Sequence, residues 1–160
     1  MPCYLFTFHA YATWLPDRKQ GYVHRTRGLQ SQDYDLSDRY TFLQKEPSVE
    51  FTPAIQQRIM TRLHEAAKYQ HLRLHAVAMD LSHIHILASW HDSSRTANKV
   101  SAALKSSITR SLNTLKRRKW LSAKGSRKQV KDERHYNYLI EKYLQSHRGM
   151  KYNERHDKHQ

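Results

Sequence analysis

Residues 72–90 read LRLHAVAMDLSHIHILASW, and this stretch decides the fold. Residues 72–81 alternate apolar with other side chains, the period of a strand. A short turn around Leu81 and Ser82 follows, and residues 83–90 form a second strand. Two strands joined this closely lie side by side as a hairpin. In the second strand His83 and His85 are two residues apart and share a face. Ile84, Ile86, Ala88 and Trp90 point the other way, into packing.

Upstream of the hairpin, Thr52-Pro53 starts a helix, with Thr as N-cap and Pro at the first helical position. Ile55, Ile59, Leu63, Ala66 and Ala67 then recur at helical spacing. Residues 3–14 are aromatic and alternating, with Tyr4, Phe6, Phe8, Ala10 and Ala12 on one face of a strand that Pro16 ends. Residues 16–51 are polar and read as a long excursion; a loop of that length implies a role of its own.

Downstream, Ser93-Ser94 or Thr96 can cap a second helix. Its packing stripe is Val100, Leu104, Ile108, Leu112 and Leu115, while Arg95, Lys99, Lys105 and Arg110 lie outside that arc. Residues 116–131 form a basic connector with room for a short strand around Trp120. Asp132 can cap a third helix running to about Ser146, with Tyr136, Ile140, Tyr143 and His147 along one side. The chain after Gly149 is polar and His-rich and is expected to fray. The order strand, helix, strand, strand, helix, possible strand, helix suggests an α+β fold. It is a ferredoxin-like antiparallel sheet with helices packed on it, the C-terminal one carrying the tyrosine. We expect one domain over residues 1–153 and a polar tail at 154–160.

The 160 residues include 28 Lys+Arg and 14 Asp+Glu, a formal charge of +14. That surplus favours a polyanionic partner, either nucleic acid or an anionic membrane. No apolar run approaches the roughly 20 residues that cross a bilayer. Residues 1–4 lack the blocks of a signal peptide, so the expected location is the cytoplasm, with no membrane partner. The charge is uneven: twelve Lys or Arg and no acid lie between Asp92 and Asp132, a local footprint for phosphates. Cys3 is the single cysteine, which leaves no internal disulfide and no Cys-based zinc site, and it reads as a small buried hydrophobe.

Two imidazoles on one rigid strand can hold a divalent metal. With 12 His in 160 residues, about one His-x-His is expected by chance, so the motif needs context. The third helix supplies it. Tyr143 and His147 are four apart and stack on one helical face. A tyrosine can act as a covalent nucleophile when its phenolate is stabilised and its target phosphate is held in line.

In their order and spacing, His83-Ile84-His85, Leu104-Lys105-Ser106 and Tyr143-Leu144-Gln145-Ser146-His147 resemble the HUH-type single-tyrosine transposases, most of all the REP-associated tyrosine transposases. Thr13-Trp14-Leu15-Pro16-Asp17 with Gly21-Tyr22-Val23 resembles the early loop of one branch. Lys119-Trp120-Leu121 with Gly125-Ser126-Arg127-Lys128 does so too. The resemblance covers residues 3 to about 153. It implies a strand-transfer enzyme of the prokaryotic cytoplasm or nucleoid, acting on single-stranded DNA beside hairpins such as REP palindromes. It implies that His83 and His85 bind Mg2+ or Mn2+ with His147 as third ligand, and that Tyr143 attacks to form a 5′-phosphotyrosine link. The family usually carries an amide at the position of His147, and imidazole is the stronger ligand for late transition metals. The expected DNA contacts are Lys99, Lys105, Ser106, Arg110, Lys116, Arg117, Arg118, Lys119, Arg127 and Lys128. The resemblance implies a monomer, or a homodimer in which Tyr143 could serve a partner's histidines.

Two other readings compete. A ferredoxin-like sheet with alternating Tyr4, Phe6 and Phe8 could bind single-stranded nucleic acid by stacking, without catalysis. The twelve histidines could mark a metal carrier, but most of them are scattered, His9, His24, His64, His71 and His91 among them.

Overall fold

The computed structural model describes residues 1–13, 22–24, 26–44 and 46–157. In chain order the elements are β1 (Cys3–Ala10), β2 (Tyr22–His24), β3 (Gly28–Gln30), α1 (Tyr34–Phe42), α2 (Pro53–Tyr69), β4 (Arg73–Met79), β5 (His83–Ser89), α3 (Ala97–Asn113), β6 (Leu121–Gln129), α4 (Glu133–Tyr138), β7 (Lys151–Asn153) and α5 (Glu154–Asp157). A π-helical turn (Leu139–Tyr143) and a 3-10 turn (Leu144–Ser146) continue α4 without a break.

The hairpin of residues 72–90 is present as β4 and β5, with Ile84 opposite Met79 and His85 opposite Ala78. β1 flanks β5 on its other side, pairing Thr7 with His85 and His9 with His83. The sheet order is β6-β1-β5-β4-β7, and every pairing is antiparallel. The path β1-α2-β4-β5-α3-β6 is the βαββαβ arrangement of a ferredoxin-like fold. β2 and β3 form a separate two-stranded hairpin.

The pleat divides the sheet into two packed faces. On one, Phe6, Phe8, Val77, Met79, Ile84 and Ile86 meet Ile59 and Leu63 of α2 and Val100, Leu104, Ile108 and Leu112 of α3. Phe6, Phe8, Ile84 and Ile86 are at most 1% exposed, and burying each contributes about 1.5–3 kcal/mol. On the other face, Leu5, Ala76, Ala78 and Leu87 are covered by Leu139, Ile140 and Leu144 of the C-terminal helical segment. The aromatic alternation of β1 is therefore core. Phe6 and Phe8 lie under the helices and offer no platform for bases.

The capping residues act as their types require. Thr96 accepts from the Lys99 amide, Asp132 from the His135 amide, and Pro53 opens α2, although Thr52 makes no side-chain cap. Leu115, expected on the α3 stripe, is 54% exposed because the helix ends at Asn113.

Several expectations are corrected. β1 ends at Ala10, and the left-handed backbone of Ala12 (φ 59°) turns the chain away from the strand. Of the residues that carry the early-loop resemblance, 14–17 and 21 lie outside the described residues, Pro16 among them. Residues 16–51 are not a featureless excursion. They include β2, β3 and α1, and Val49 and Phe51 enter the main core at 2% and 0% exposure. The basic connector holds a nine-residue strand, β6, whose weak intrinsic preference is overridden by pairing with β1. Nor do residues 150–157 fray: β7 pairs with β4, and Asn153 and Glu154 are buried. No described helix is long and apolar enough to cross a membrane.

Candidate active site

Strand alternation puts His83 and His85 on the sheet face away from α2 and α3, as Ile84 and Ile86 fill the other. His147 arrives from a different direction. The 3-10 turn ends at Ser146, and His147 takes an extended backbone (φ −73°, ψ 146°). Its ring lies 4.6 Å from that of His85 and 5.4 Å from that of His83, centre to centre. One ligand nitrogen from each of the three lies within 4.8 Å of the others, so the set can close on one metal ion.

Each ring is oriented by a neighbour. His147 Nδ1 is 3.1 Å from the Tyr143 carbonyl oxygen, which can only accept, so Nδ1 carries a proton and Nε2 is the nitrogen left to serve as a ligand. His85 Nδ1 is 2.8 Å from the Thr7 hydroxyl, and His83 Nδ1 is 3.0 Å from the Ser82 hydroxyl. Burial pushes the His85 imidazole from its ordinary 6.5 down to about 3, with His83, His147 and His9 adding to the effect and Asp80 opposing it. A neutral imidazole of this kind is the ligand form.

The Tyr143 hydroxyl reaches 3.4 Å from His85 Nε2, and its ring lies 5.3 Å from that of His85. Burial, and secondarily Tyr138, hold its phenol above the ordinary range. A cation among the imidazoles would act in the opposite sense, favouring the phenolate.

The π turn changes which tyrosines are neighbours. Regular α-helical geometry would place Tyr138 about 140° around the helix from Tyr143. Instead their rings lie 6.4 Å apart, because the Leu144 amide bonds to the Leu139 carbonyl, an i to i+5 step that adds a residue to the turn. Tyr136, on the same side of the helical segment as Tyr143 by sequence spacing, is engaged elsewhere. Its hydroxyl donates to Glu154 Oε1 at 3.2 Å and lies 3.0 Å from His75 Nδ1, and burial followed by Glu154 pushes its phenol up to about 12. Glu154 also binds Arg73 and His75, and His75 Nε2 is 2.7 Å from the Ser89 hydroxyl. This network fixes the start of the tyrosine-bearing segment against β4 and α5.

The basic residues divide. Lys99, Ser106 and Arg110 are exposed on α3, which covers the sheet face opposite the histidines. Lys105 donates to the carbonyls of Ser122 and Ala123, tying α3 to β6, and burial lowers its ammonium pKa. Lys116 and Arg117 are exposed. Arg118 stacks on Trp120, donates to the Pro47 carbonyl and pairs with Glu46, while the Lys119 ammonium lies over Tyr11. Arg127 is opposite Phe6 and shares the α2–α3 side, whereas Lys128 is opposite Leu5 and shares the side of Tyr143. Cys3 is a free, half-buried thiol pushed up to about 11, mainly by burial.

Thr7, Ser82 and Asp80 were not anticipated. Thr7 becomes visible once β1 is registered on β5, because its alternation with Phe6 and Phe8 puts it beside His85.

No family model and no curated protein matches the chain. Solved structures do. One is a REP-associated tyrosine transposase bound to a REP hairpin, at 8% identity and a TM-score of 0.49, covering 87% of this chain. This chain spans 62% of that one. Another is a candidate transposase from Deinococcus radiodurans R1, at 12% identity and a TM-score of 0.51, covering 94% of both chains. The second likeness shows a shared fold.

Proposed function

We propose that the protein is a metal-dependent enzyme that nicks and joins single-stranded DNA through Tyr143, in the manner of HUH-type tyrosine transposases. The observation that carries this reading is the Tyr143 hydroxyl beside three converging imidazoles, 3.4 Å from His85 Nε2. His83, His85 and His147 would hold the ion, Mg2+ or Mn2+. When bound, it would supply charge to polarise a phosphodiester and to stabilise the leaving oxygen.

Tyr143 Oη attacks phosphorus, forming a phosphotyrosine ester as the bond to the 3′ oxygen breaks. The phenol proton passes to water, and the 3′ oxygen gains one, leaving a free 3′-hydroxyl. One phosphate ester replaces another, so a hydroxyl can attack back and rejoin strands without an external energy source. The substrate, single-stranded DNA beside a hairpin such as a REP palindrome, follows from the motif resemblance. The +14 charge supports a nucleic-acid partner.

The test uses labelled oligonucleotides carrying a hairpin with a single-stranded flank, compared with a fully paired duplex. Cleavage and a covalent adduct on the first, and little on the second, are expected. Equal rates on both would overturn the substrate assignment, and no adduct on either would overturn the enzyme.

A further inference from the structure

We propose that Asp80 is a positioning residue that fixes His147 against His83, an inference that rests on the reading of these histidines as one metal site. His83 and His85 come from one strand, so their separation is set by the backbone. His147 belongs to another segment, and its distance from them depends on how residues 147–150 dock on the sheet. Asp80 sits at that docking point. Its Oδ1 accepts the Arg148 amide at 2.8 Å, and its Oδ2 lies 3.5 Å from His83 Nε2. One carboxylate thus touches a strand ligand and the residue that follows the third ligand. Its own amide donates to the His83 carbonyl at 3.0 Å, which holds the carboxylate in place on the turn.

The surrounding contacts make the docking close. The Gly149 amide donates to the Met79 carbonyl at 2.9 Å, and the Met79 amide to the Met150 carbonyl at 3.0 Å. The Met150 amide donates to Gln56 Oε1 at 2.7 Å. A Cβ at residue 149 would collide with the Met79 carbonyl and come within 2.6 Å of Gln56 Oε1, so the approach needs glycine. His147 lies between the end of the 3-10 turn and this clamp. The carboxylate also supplies negative charge beside the imidazoles, which favours a cation there.

Asp80→Ala removes both contacts. Asp80→Asn keeps an oxygen for the Arg148 amide but loses the charge facing His83. The readouts are Arg148 amide exchange, ring-proton nuclear Overhauser contacts between His83 and His147, and Mn2+ affinity by titration calorimetry. Asp80→Ala is expected to speed Arg148 exchange at least about tenfold, to lose the ring contacts and to weaken Mn2+ binding by about 10–100-fold, with circular dichroism unchanged. Asp80→Asn is expected to keep the exchange protection and ring contacts while Mn2+ binding weakens by a smaller factor. Unchanged exchange and ring contacts in Asp80→Ala would overturn the positioning role. If that variant does not fold, Asp80→Glu, which keeps the charge but moves the carboxylate by one methylene, takes its place, and unchanged Arg148 exchange and ring contacts there overturn the positioning role. A wild-type protein that binds no Mn2+ refutes the metal reading itself, and the metal-free exchange and ring contacts then decide the positioning role alone.

Discussion

The Tyr143 hydroxyl lies 3.4 Å from Nε2 of His85, while Tyr136, earlier on the same helical segment, gives its hydroxyl to Glu154 at 3.2 Å. The two phenols therefore have different work. Tyr143→Phe deletes a long hydrogen bond but keeps the packed ring. It should cost under about 1 kcal/mol of stability, leave DNA binding near wild type, and abolish cleavage and the adduct. Tyr136→Phe should stay active but lose about 1–3 kcal/mol, because it removes a donor from a buried carboxylate. Peptide mapping of the trapped adduct checks both, and DNA linked to any residue but Tyr143 refutes the mechanism.

The histidine set makes a second prediction. His83→Ala and His85→Ala should eliminate divalent-ion binding and cleavage while circular dichroism stays unchanged. His147→Gln should retain activity with Mg2+, since a carboxamide oxygen at that position suits a hard ion better than imidazole does. Cleavage that survives a chelator would show that no metal is involved.

Much of this was legible because periodicity is a local property. The two-residue spacing of His83 and His85 placed them on one face, and Ile84 and Ile86 decided which face. Helical spacing paired Tyr143 with His147, and their rings do lie 5.4 Å apart, but His147 stands past the helix end on extended backbone and not on the same helical face. What was hidden depends on partners distant in the chain. β6 is rich in Lys, Arg and Ser and becomes a strand through the free edge of β1. Glu154 looked like part of a solvated tail until Arg73, His75 and Tyr136 surrounded it. The π turn that brings Tyr138 to Tyr143 leaves no pattern in the residues themselves.

The His85 imidazole makes a prediction about acid. Its value falls from 6.5 to about 3 on folding. Above pH 6.5 both folded and unfolded chains hold it neutral, so it has no effect there. Below 6.5 the unfolded chain gains a proton that the folded chain refuses, and stability falls as pH drops toward about 3. The slope from this group is about 1.4 kcal/mol per pH unit. Urea unfolding of metal-free protein at pH 7, 6, 5 and 4 measures it. His85→Gln should remove that part of the slope, and an identical slope in the variant would show that His85 is not the group responsible.

The last prediction concerns which cations meet the DNA at the chemistry. Arg127 and Lys128 are adjacent on β6, so the pleat sends them to opposite faces. Lys128 shares its face with Thr7 and Tyr143, while Arg127 shares the side covered by α2 and α3. A strand whose phosphate reaches Tyr143 can therefore run past Lys128 and not past Arg127. Lys128→Ala should weaken binding of a short single-stranded substrate severalfold and lower the slope of log affinity against log salt by about 0.7, the value for one single-strand phosphate contact. Arg127→Ala should change neither by as much. In the 116–119 cluster the exposed Lys116 and Arg117 are the candidates for the same loss, because Arg118 is occupied by Trp120, Pro47 and Glu46. Arg118→Ala should instead lower stability by about 1 kcal/mol through the lost stacking. Titrations at several salt concentrations, paired with thermal unfolding, separate the two kinds of arginine. Equal salt slopes for Lys128→Ala and the wild type would move the DNA path off this edge of the sheet.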